Sequence, residues 1–293
     1  MFEENILNIY GNTGKIWLEG LQEMTLKLSR RLDLHGLQPV SNLSYNYVAS
    51  GFQGNTPIIL KLSLDHQGLE REAFALACFR GYGAVDVMEK GPGWLLLEKA
   101  VPGISLKSYF PGKEIEAIHI TCDVIKKLQL SPPLLTHDFP HIHDWLSALD
   151  RGVDIPGIYL QKAKELYDMM LGSCGPDLLL HGDLHPDNIL QKGNDWVVID
   201  PKGVIGEPSF EVAAFIYNPI PDLLIQENPH HIIQTRIDIF SKELNMPAQR
   251  IKAWCFIRVV LAWVWAMEDH CDTKYWEGMT ALLDELLHIK NGG

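Results

Sequence analysis

Two residues in the stretch "HGDLHPDNIL" (181–190), Asp183 and Asn188, put a carboxylate and an amide in one short, turn-like loop, and the apolar run "WVVID" soon afterwards ends on Asp200. One chemistry uses all three groups. A carboxylate orients a hydroxyl and accepts its proton, while an amide oxygen and a second carboxylate hold a divalent cation against phosphate oxygens. This is metal-assisted phosphoryl transfer. Hard oxygen ligands suit Mg²⁺, which takes few protein ligands and keeps waters. Reading Asp183 as a simple turn or cap residue leaves the register of Asn188 and Asp200 unexplained. His181 and His185 lack partners at a zinc-binding spacing and are expected to bond the backbone around the loop.

The protein-kinase signature H-R-D-x-x-x-x-N followed by D-F-G has this same register of Asp and Asn. Here Gly182 replaces the Arg, and Pro201-Lys202 replaces the Phe-Gly. Such a site also needs a Lys on a strand, reaching the phosphates and paired with a Glu on the next helix. Lys61 in "IILKLS" fits the first role. Glu72 is the preferred partner, with Glu70 as the alternative. Backbone groups from Glu98 to Ala100, after the strand "WLLLE", are placed to read adenine. No G-x-G-x-x-G loop precedes Lys61, so Ser44 and Asn46 in "SNLSYNYVAS" are expected to cover the phosphates. A P-loop at "GNTGKIW" is excluded, because Ile9 stands where its first Gly belongs and Ile16 where Ser or Thr must follow the Lys.

These groups need elements to hold them. Helical spacing runs through residues 1–34. The chain then becomes strand-rich from 35 to 100, with "YNYVASG" and "TPIILKLSL" joined by a turn and two more strands around Gly91-Pro92-Gly93. A helix lies between them in "GLEREAFALACFRGYG", with its stop at Gly81 or Gly83. Helices are expected at 105–130, 141–149, 157–172 and beyond 208, and short strand-and-loop pieces at 178–206. The apolar stretch 253–267 is too short to span a bilayer and contains Arg258, so it reads as a core helix, with Trp254, Trp263 and Trp265 as core residues. "HDFPHIH", 137–143, reads as a solvated loop.

The chain has 293 residues, 46% of them hydrophobic, and a formal net charge of −12. That length supports one large domain or two lobes. The acidic balance makes a nucleic-acid partner a poor expectation. Five scattered cysteines without a CxxC pair suggest reduced thiols, and the acidic start lacks a signal-peptide pattern. A cytoplasmic protein, monomeric or homodimeric, with no membrane partner is expected.

The quoted loop, with "WVVIDPKGVIGEPSFEVAAFIYNP", "EREAFALACFRGYGAVDVME", "WLLLEKAVPGISL" and "YNYVASGFQGNTPIILKLS", resembles the aminoglycoside phosphotransferase-like kinases, in the streptomycin 6-kinase and hydroxyurea phosphotransferase branch. The resemblance covers roughly residues 40–220. It implies an α+β, bilobal, protein-kinase-like fold, ATP and Mg²⁺ as cofactors, Asp183 as the base, and Asn188 and Asp200 as metal ligands. The expected lobes are 1–98, which binds nucleotide, and 99–293, which carries the base and the acceptor site. A protein kinase is disfavoured, because little chain after Asp200 is left for an activation segment. The expected reaction is phosphorylation of a small-molecule hydroxyl, on streptomycin or a similar aminoglycoside. The alternatives are a metabolic kinase for a sugar, amino-alcohol or hydroxyurea, and an inactive nucleotide-binding scaffold. Asp and Glu outnumber Lys and Arg from Gly203 onward, so Glu207, Glu268, Asp269 and Asp272 are the expected contacts for a cationic acceptor.

Overall fold

The computed structural model describes residues 2–132, 139–171 and 176–288. It opens with α1 (Phe2–Arg31), in which two helical pieces meet at Gly11, whose φ of 53° and ψ of −127° lie outside helical geometry. Next come β1 (Leu34–Pro39), β2 (Tyr47–Gln53), β3 (Thr56–Leu62), α2 (His66–Cys78), β4 (Val87–Gly91) and β5 (Trp94–Glu98). The five strands form one antiparallel sheet in the order β1-β2-β3-β5-β4. Side chains alternate between its faces. Ile58, Leu60, Leu62, Trp94 and Leu96 meet Trp17, Leu21, Met24 and Leu28 of α1 on one face. Leu95 and Leu97 join α2 residues Leu69, Ala73 and Leu76 in the larger core. Lys61 is paired across the sheet with Val48 and Leu95.

Two boundaries differ from the sequence expectation. Leu34–Pro39 is a separate strand, although its Gly36 and Pro39 read as breakers. It sits at the sheet edge, where a proline is tolerated, and its pairing is irregular between His35 and Gln38. Helix α2 stops at Cys78, with the Phe79 amide donating to Ala75 O, whereas Gly81 and Gly83 form the turn beyond it at positive φ.

The second half begins with β6 (Pro102–Ser105). The helix expected from residue 105 is split into a single tight turn at Leu106–Tyr109 and α3 (Glu114–Leu128), because Pro111 and Gly112 interrupt it. Then follow α4 (Ile142–Leu146), α5 (Gly157–Leu171), β7 (Leu178–Leu180), β8 (Ile189–Lys192), β9 (Asp195–Val198) and β10 (Val204–Gly206). Strands β6, β8 and β9 form a three-stranded sheet, and β7 pairs with β10. The helices α6 (Pro208–Glu211), α7 (Ala213–Ile216), α8 (Pro229–Leu244), α9 (Ala248–Glu268) and α10 (Lys274–His288) complete the chain. Helix α9 is the buried axis of this half, and Trp254 and Trp263 lie in its core. No helix among the described residues is long and apolar enough to cross a membrane. Cys78, Cys122, Cys255 and Cys271 are free thiols, and Cys174 lies outside the described residues. Of "HDFPHIH", 137 and 138 also lie outside them, while His141 caps α4 and stacks on His143.

Helix α8 is fastened by Arg236, which is 1% exposed. Its guanidinium donates to Phe215 O and Ile216 O at 2.9 and 2.8 Å, to Asn218 O, and to Glu114 at 2.5 Å. Arg236→Ala strips four acceptors of their donor at once. Breaking a buried pair in this way costs about 3–5 kcal/mol, so urea unfolding of the variant is expected to show a loss of that order.

Candidate active site

The loop between β7 and β8 is held in shape by its own short-range bonds. His181 is fully buried, with Nε2 donating to Ile199 O at 2.8 Å and Nδ1 accepting from the Asp183 amide at 3.2 Å. Burial pushes its pKa down to about 4, so the ring is neutral and keeps that tautomer. His185 Nδ1 accepts from the Asp187 amide. The Asn188 side-chain amide donates to Asp183 O at 2.9 Å, which leaves Oδ1 for another partner. The Ile199 amide donates to Asn188 O at 3.1 Å, and this tie brings Asp200, just past the end of β9, beside the loop. Asp200 has φ 57°, a left-handed backbone uncommon outside glycine.

Lys61 links this loop region to the large sheet. Its ammonium donates to Glu72 Oε2 at 2.5 Å and to Asp200 Oδ1 at 2.8 Å. Glu72 is 4% exposed, whereas Glu70 faces solvent. Burial opposes the Lys61 charge, but Asp200 and Glu72 outweigh it and raise its pKa. Burial likewise acts to raise Asp200, and Lys202 and Lys61 reverse this and hold it well below the usual carboxylate range. At Asp183 burial is again outweighed, here by His185, Lys202 and Arg258, and the pKa falls. Both carboxylates are therefore ionised at neutral pH. Asp200 and Asn188 Oδ1 are hard oxygen donors, and among the described residues Glu72 Oε1 is buried without a hydrogen-bond partner, its carboxylate being bound to the Lys61 that also binds Asp200. This donor set fits Mg²⁺.

Beyond Asp183 a cavity of about 710 Å³ opens. Its walls carry Asp183, Asp200 and Lys202, and Asp65 and Asp269 among the other polar groups. Trp145, Tyr217, Trp265 and Trp276 give it aromatic walls, and Tyr10, Tyr45 and Asn46 line it from the first half of the chain. Arg258, 4% exposed, lies against Trp145, Phe210 and Trp265, with ring centroids 5.5, 4.8 and 5.8 Å away. It donates to Gly182 O at 3.2 Å, and its Nη2 is 3.8 Å from Asp183 Oδ1. Such an arrangement can hold an ionised carboxylate against a bound hydroxyl, beside a cation-lined phosphate site.

The family described as aminoglycoside/hydroxyurea antibiotic resistance kinase matches residues 39–270. The chain belongs to that family. Streptomycin 3''-kinase of Klebsiella pneumoniae is 28% identical over 225 residues, covering 74% of this chain and 82% of the relative. Streptomycin 6-kinase of Streptomyces glaucescens is 21% identical over 290 residues, covering 89% and 87%. A crystal structure of a thermostable mutant of aminoglycoside phosphotransferase APH(4)-Ia, a ternary complex with ADP and hygromycin B, superposes with a TM-score of 0.69 at 13% identity. It covers 92% of this chain and 99% of that one. The fold is the protein-kinase-like fold of the aminoglycoside phosphotransferases and choline kinases. The protein is a small-molecule kinase with an alcohol group as acceptor.

Several expected contacts of this kinase lie elsewhere. Glu207 is 3% exposed and outside the cavity: it accepts from Arg250 Nε at 2.7 Å and Trp254 Nε1 at 2.5 Å. Glu268 is taken by both oxygens on Arg151, at 2.9 and 2.8 Å. Asp272 accepts from the Lys274 amide at the start of α10. Of the four acceptor carboxylates expected, Asp269 alone lines the cavity. Ser44 is exposed and bonded through its carbonyl to Asn5, so Asn46 is the member of that pair at the cleft. The Glu98 amide donates to Asp86 O at 2.9 Å and its carboxylate meets Lys192, so it is not a free donor. The Ala100 amide has no hydrogen-bond partner among the described residues. Trp265, expected in the core, is a cavity wall. Lys202, Arg258, Asp65 and Tyr10 escaped the sequence reading, and for Lys202 the signal was there, directly after Asp200-Pro201.

Glu211 fixes the loop from below, accepting from the His181 and Gly182 amides at 2.6 and 2.9 Å. Burial pushes its pKa from an ordinary 4.5 up to about 7, against the pull of those two amides. The folded value lies above the ordinary one, so its contribution to stability is full below pH 4.5 and is lost as pH rises to about 7. Urea unfolding across that window is expected to show stability falling less steeply in Glu211→Gln than in the wild type.

Proposed function

We propose that this kinase transfers the γ-phosphoryl group of ATP to a hydroxyl of a cationic aminoglycoside of the streptomycin type, with Mg²⁺ as cofactor. One observation carries the reading: a single cavity is lined by the ionised Asp183, by Asp200 and Lys202, and also by Asp65, Asp269 and aromatic rings. Carboxylates hold ammonium and guanidinium groups by charge-assisted hydrogen bonds, and indole and phenol faces attract the same cations. A volume of about 710 Å³ suits a drug-sized ligand. Hydroxyurea is tiny and neutral and would leave most of these walls without contact. The similarity to streptomycin kinases supports the same choice.

In this mechanism Asp183 accepts the hydrogen bond of the acceptor hydroxyl and takes its proton as the new O–P bond forms and the bond to the nucleotide's bridging oxygen breaks. Its lowered pKa keeps it ready to accept at neutral pH. Arg258 holds the carboxylate in place through Gly182 and its own charge. Lys61, braced by Glu72, contacts phosphate oxygens, and Lys202 supplies a second positive charge facing the transferred group. Asp200 and Asn188 would hold Mg²⁺, which would supply charge neutralisation at the phosphates. The Ala100 amide is the donor left free to read the nucleotide base.

Asp183→Asn keeps the shape and removes the proton acceptor. Its turnover is expected to fall by roughly 10²–10⁴-fold, with ATP binding by calorimetry unchanged. Near-normal turnover would remove Asp183 from the mechanism. The acceptor is tested directly by transfer of labelled phosphate from ATP to streptomycin, hydroxyurea and choline, with mapping of the modified hydroxyl. Streptomycin is expected to react fastest. Brisk transfer to a neutral acceptor with none to streptomycin would overturn the aminoglycoside reading.

A further inference from the structure

The family match begins at residue 39, yet the cavity is lined by two residues well before it, Ile9 and Tyr10. The break in α1 explains how they arrive there. Phe2 and Trp17 have ring centroids 6.2 Å apart, whereas fifteen residues of straight helix span about 22 Å. The piece before Gly11 is therefore folded back on the piece after it. Ile6 is fully buried at the crossing, where a Cβ on Gly14 would lie 2.6 Å from Ile6 O. The later piece lies on the sheet through Trp17, Leu21, Met24 and Leu28. The earlier one is carried out toward the cleft, and Asn5 Nδ2 pins it to Ser44 O at 3.1 Å, in the loop that also brings Tyr45 and Asn46 to the cavity.

Tyr10 stands in this cavity with carboxylates from both halves of the chain. Asp65 comes from the residue that caps α2, and Asp269 from the end of α9. Burial raises the Tyr10 pKa, and the charges of Asp65 and Asp269 raise it further, in keeping with a position facing both. An aromatic ring beside two carboxylates favours a cationic group over a neutral or anionic one.

We infer that the folded-back N-terminal helix is a wall of the acceptor site, and that Tyr10 is a specificity-determining residue which packs on a cationic part of the acceptor away from the reacting hydroxyl. The inference rests on the proposed cationic acceptor for the charge it assigns. The location of the wall does not depend on which acceptor is used. Acceptor choice in this kinase is thus set partly outside residues 39–270, the stretch that matches the family, by a segment whose Ile9 and Tyr10 line the cavity.

The test compares wild type, Tyr10→Ala and Tyr10→Phe with whichever of streptomycin, hydroxyurea and choline the wild type phosphorylates fastest. Removing the ring is expected to raise KM for a cationic acceptor about tenfold, with KM for ATP and kcat within about twofold, on the scale of a contact made equally in ground and transition states. Tyr10→Phe keeps the ring and is expected to restore KM. Circular dichroism and Tm of each variant separate lost contact from lost fold. An acceptor KM unchanged in a folded Tyr10→Ala would overturn the inference, as would a matching rise in KM for ATP. If the preferred acceptor proves neutral, the aminoglycoside reading fails by that result alone. The wall is then judged by the same KM comparison, where a selective rise upholds it and none sinks it.

Discussion

A buried ammonium that must be matched by carboxylates from distant parts of the chain governs this structure. Lys61 sits at the end of a central strand, and its partners lie 11 and 139 residues away in sequence. A charge so deeply buried is tolerated only when paired and hydrogen-bonded. The sheet, helix α2 and the strand β9 must therefore meet at one point. Asp200 extends the pairing to Lys202, and Arg258 faces Asp183 on the other side, so that cations and anions alternate across the floor of the cleft. The same alternation that makes the burial tolerable keeps Asp183 and Asp200 ionised, which is the state phosphoryl transfer needs.

The surroundings of the loop hold it in place by hydrogen bonds and packing. His181 is stripped of its charge by burial and serves as a rigid two-sided hydrogen-bonding unit. Glu211 satisfies two backbone amides that the tight turn at Gly182 leaves pointing inward. Arg258, buried among three aromatic rings, trades hydration for ring faces and a carbonyl. None of these side chains needs to touch a substrate to matter, since each limits how far Asp183 can drift.

What the sequence revealed follows from the range of the bonds involved. Asp183, Asn188 and Asp200 were legible because a few residues of loop and hairpin fix their relative positions. Lys61 and Glu72 were legible because strand alternation and one turn of helix set their facing. The acceptor carboxylates were not, because counting acids says nothing about which way each one points. Glu207 looked available and is held by Arg250 and Trp254, whereas Asp65, which the sequence did not single out, caps α2 and also lines the cleft. Arg258 read as an interruption in an apolar run, and only the packing of α9 against the loop gives it a partner. The edge strand β1 was hidden by its own Gly and Pro, and the position of Tyr10 depends on a reversal at Gly11 that no local pattern announces.

Three indoles, those of Trp145, Trp265 and Trp276, form part of the cavity wall, out of eight in the chain. Of the other five, Trp94, Trp254 and Trp263 are buried in the cores and Trp17 packs under the sheet. A compound entering the cleft replaces water against these cavity rings while the packing of the core indoles is untouched. The ultraviolet emission of the unmodified protein thus carries a built-in optical signal of occupancy, one that needs neither a label nor turnover.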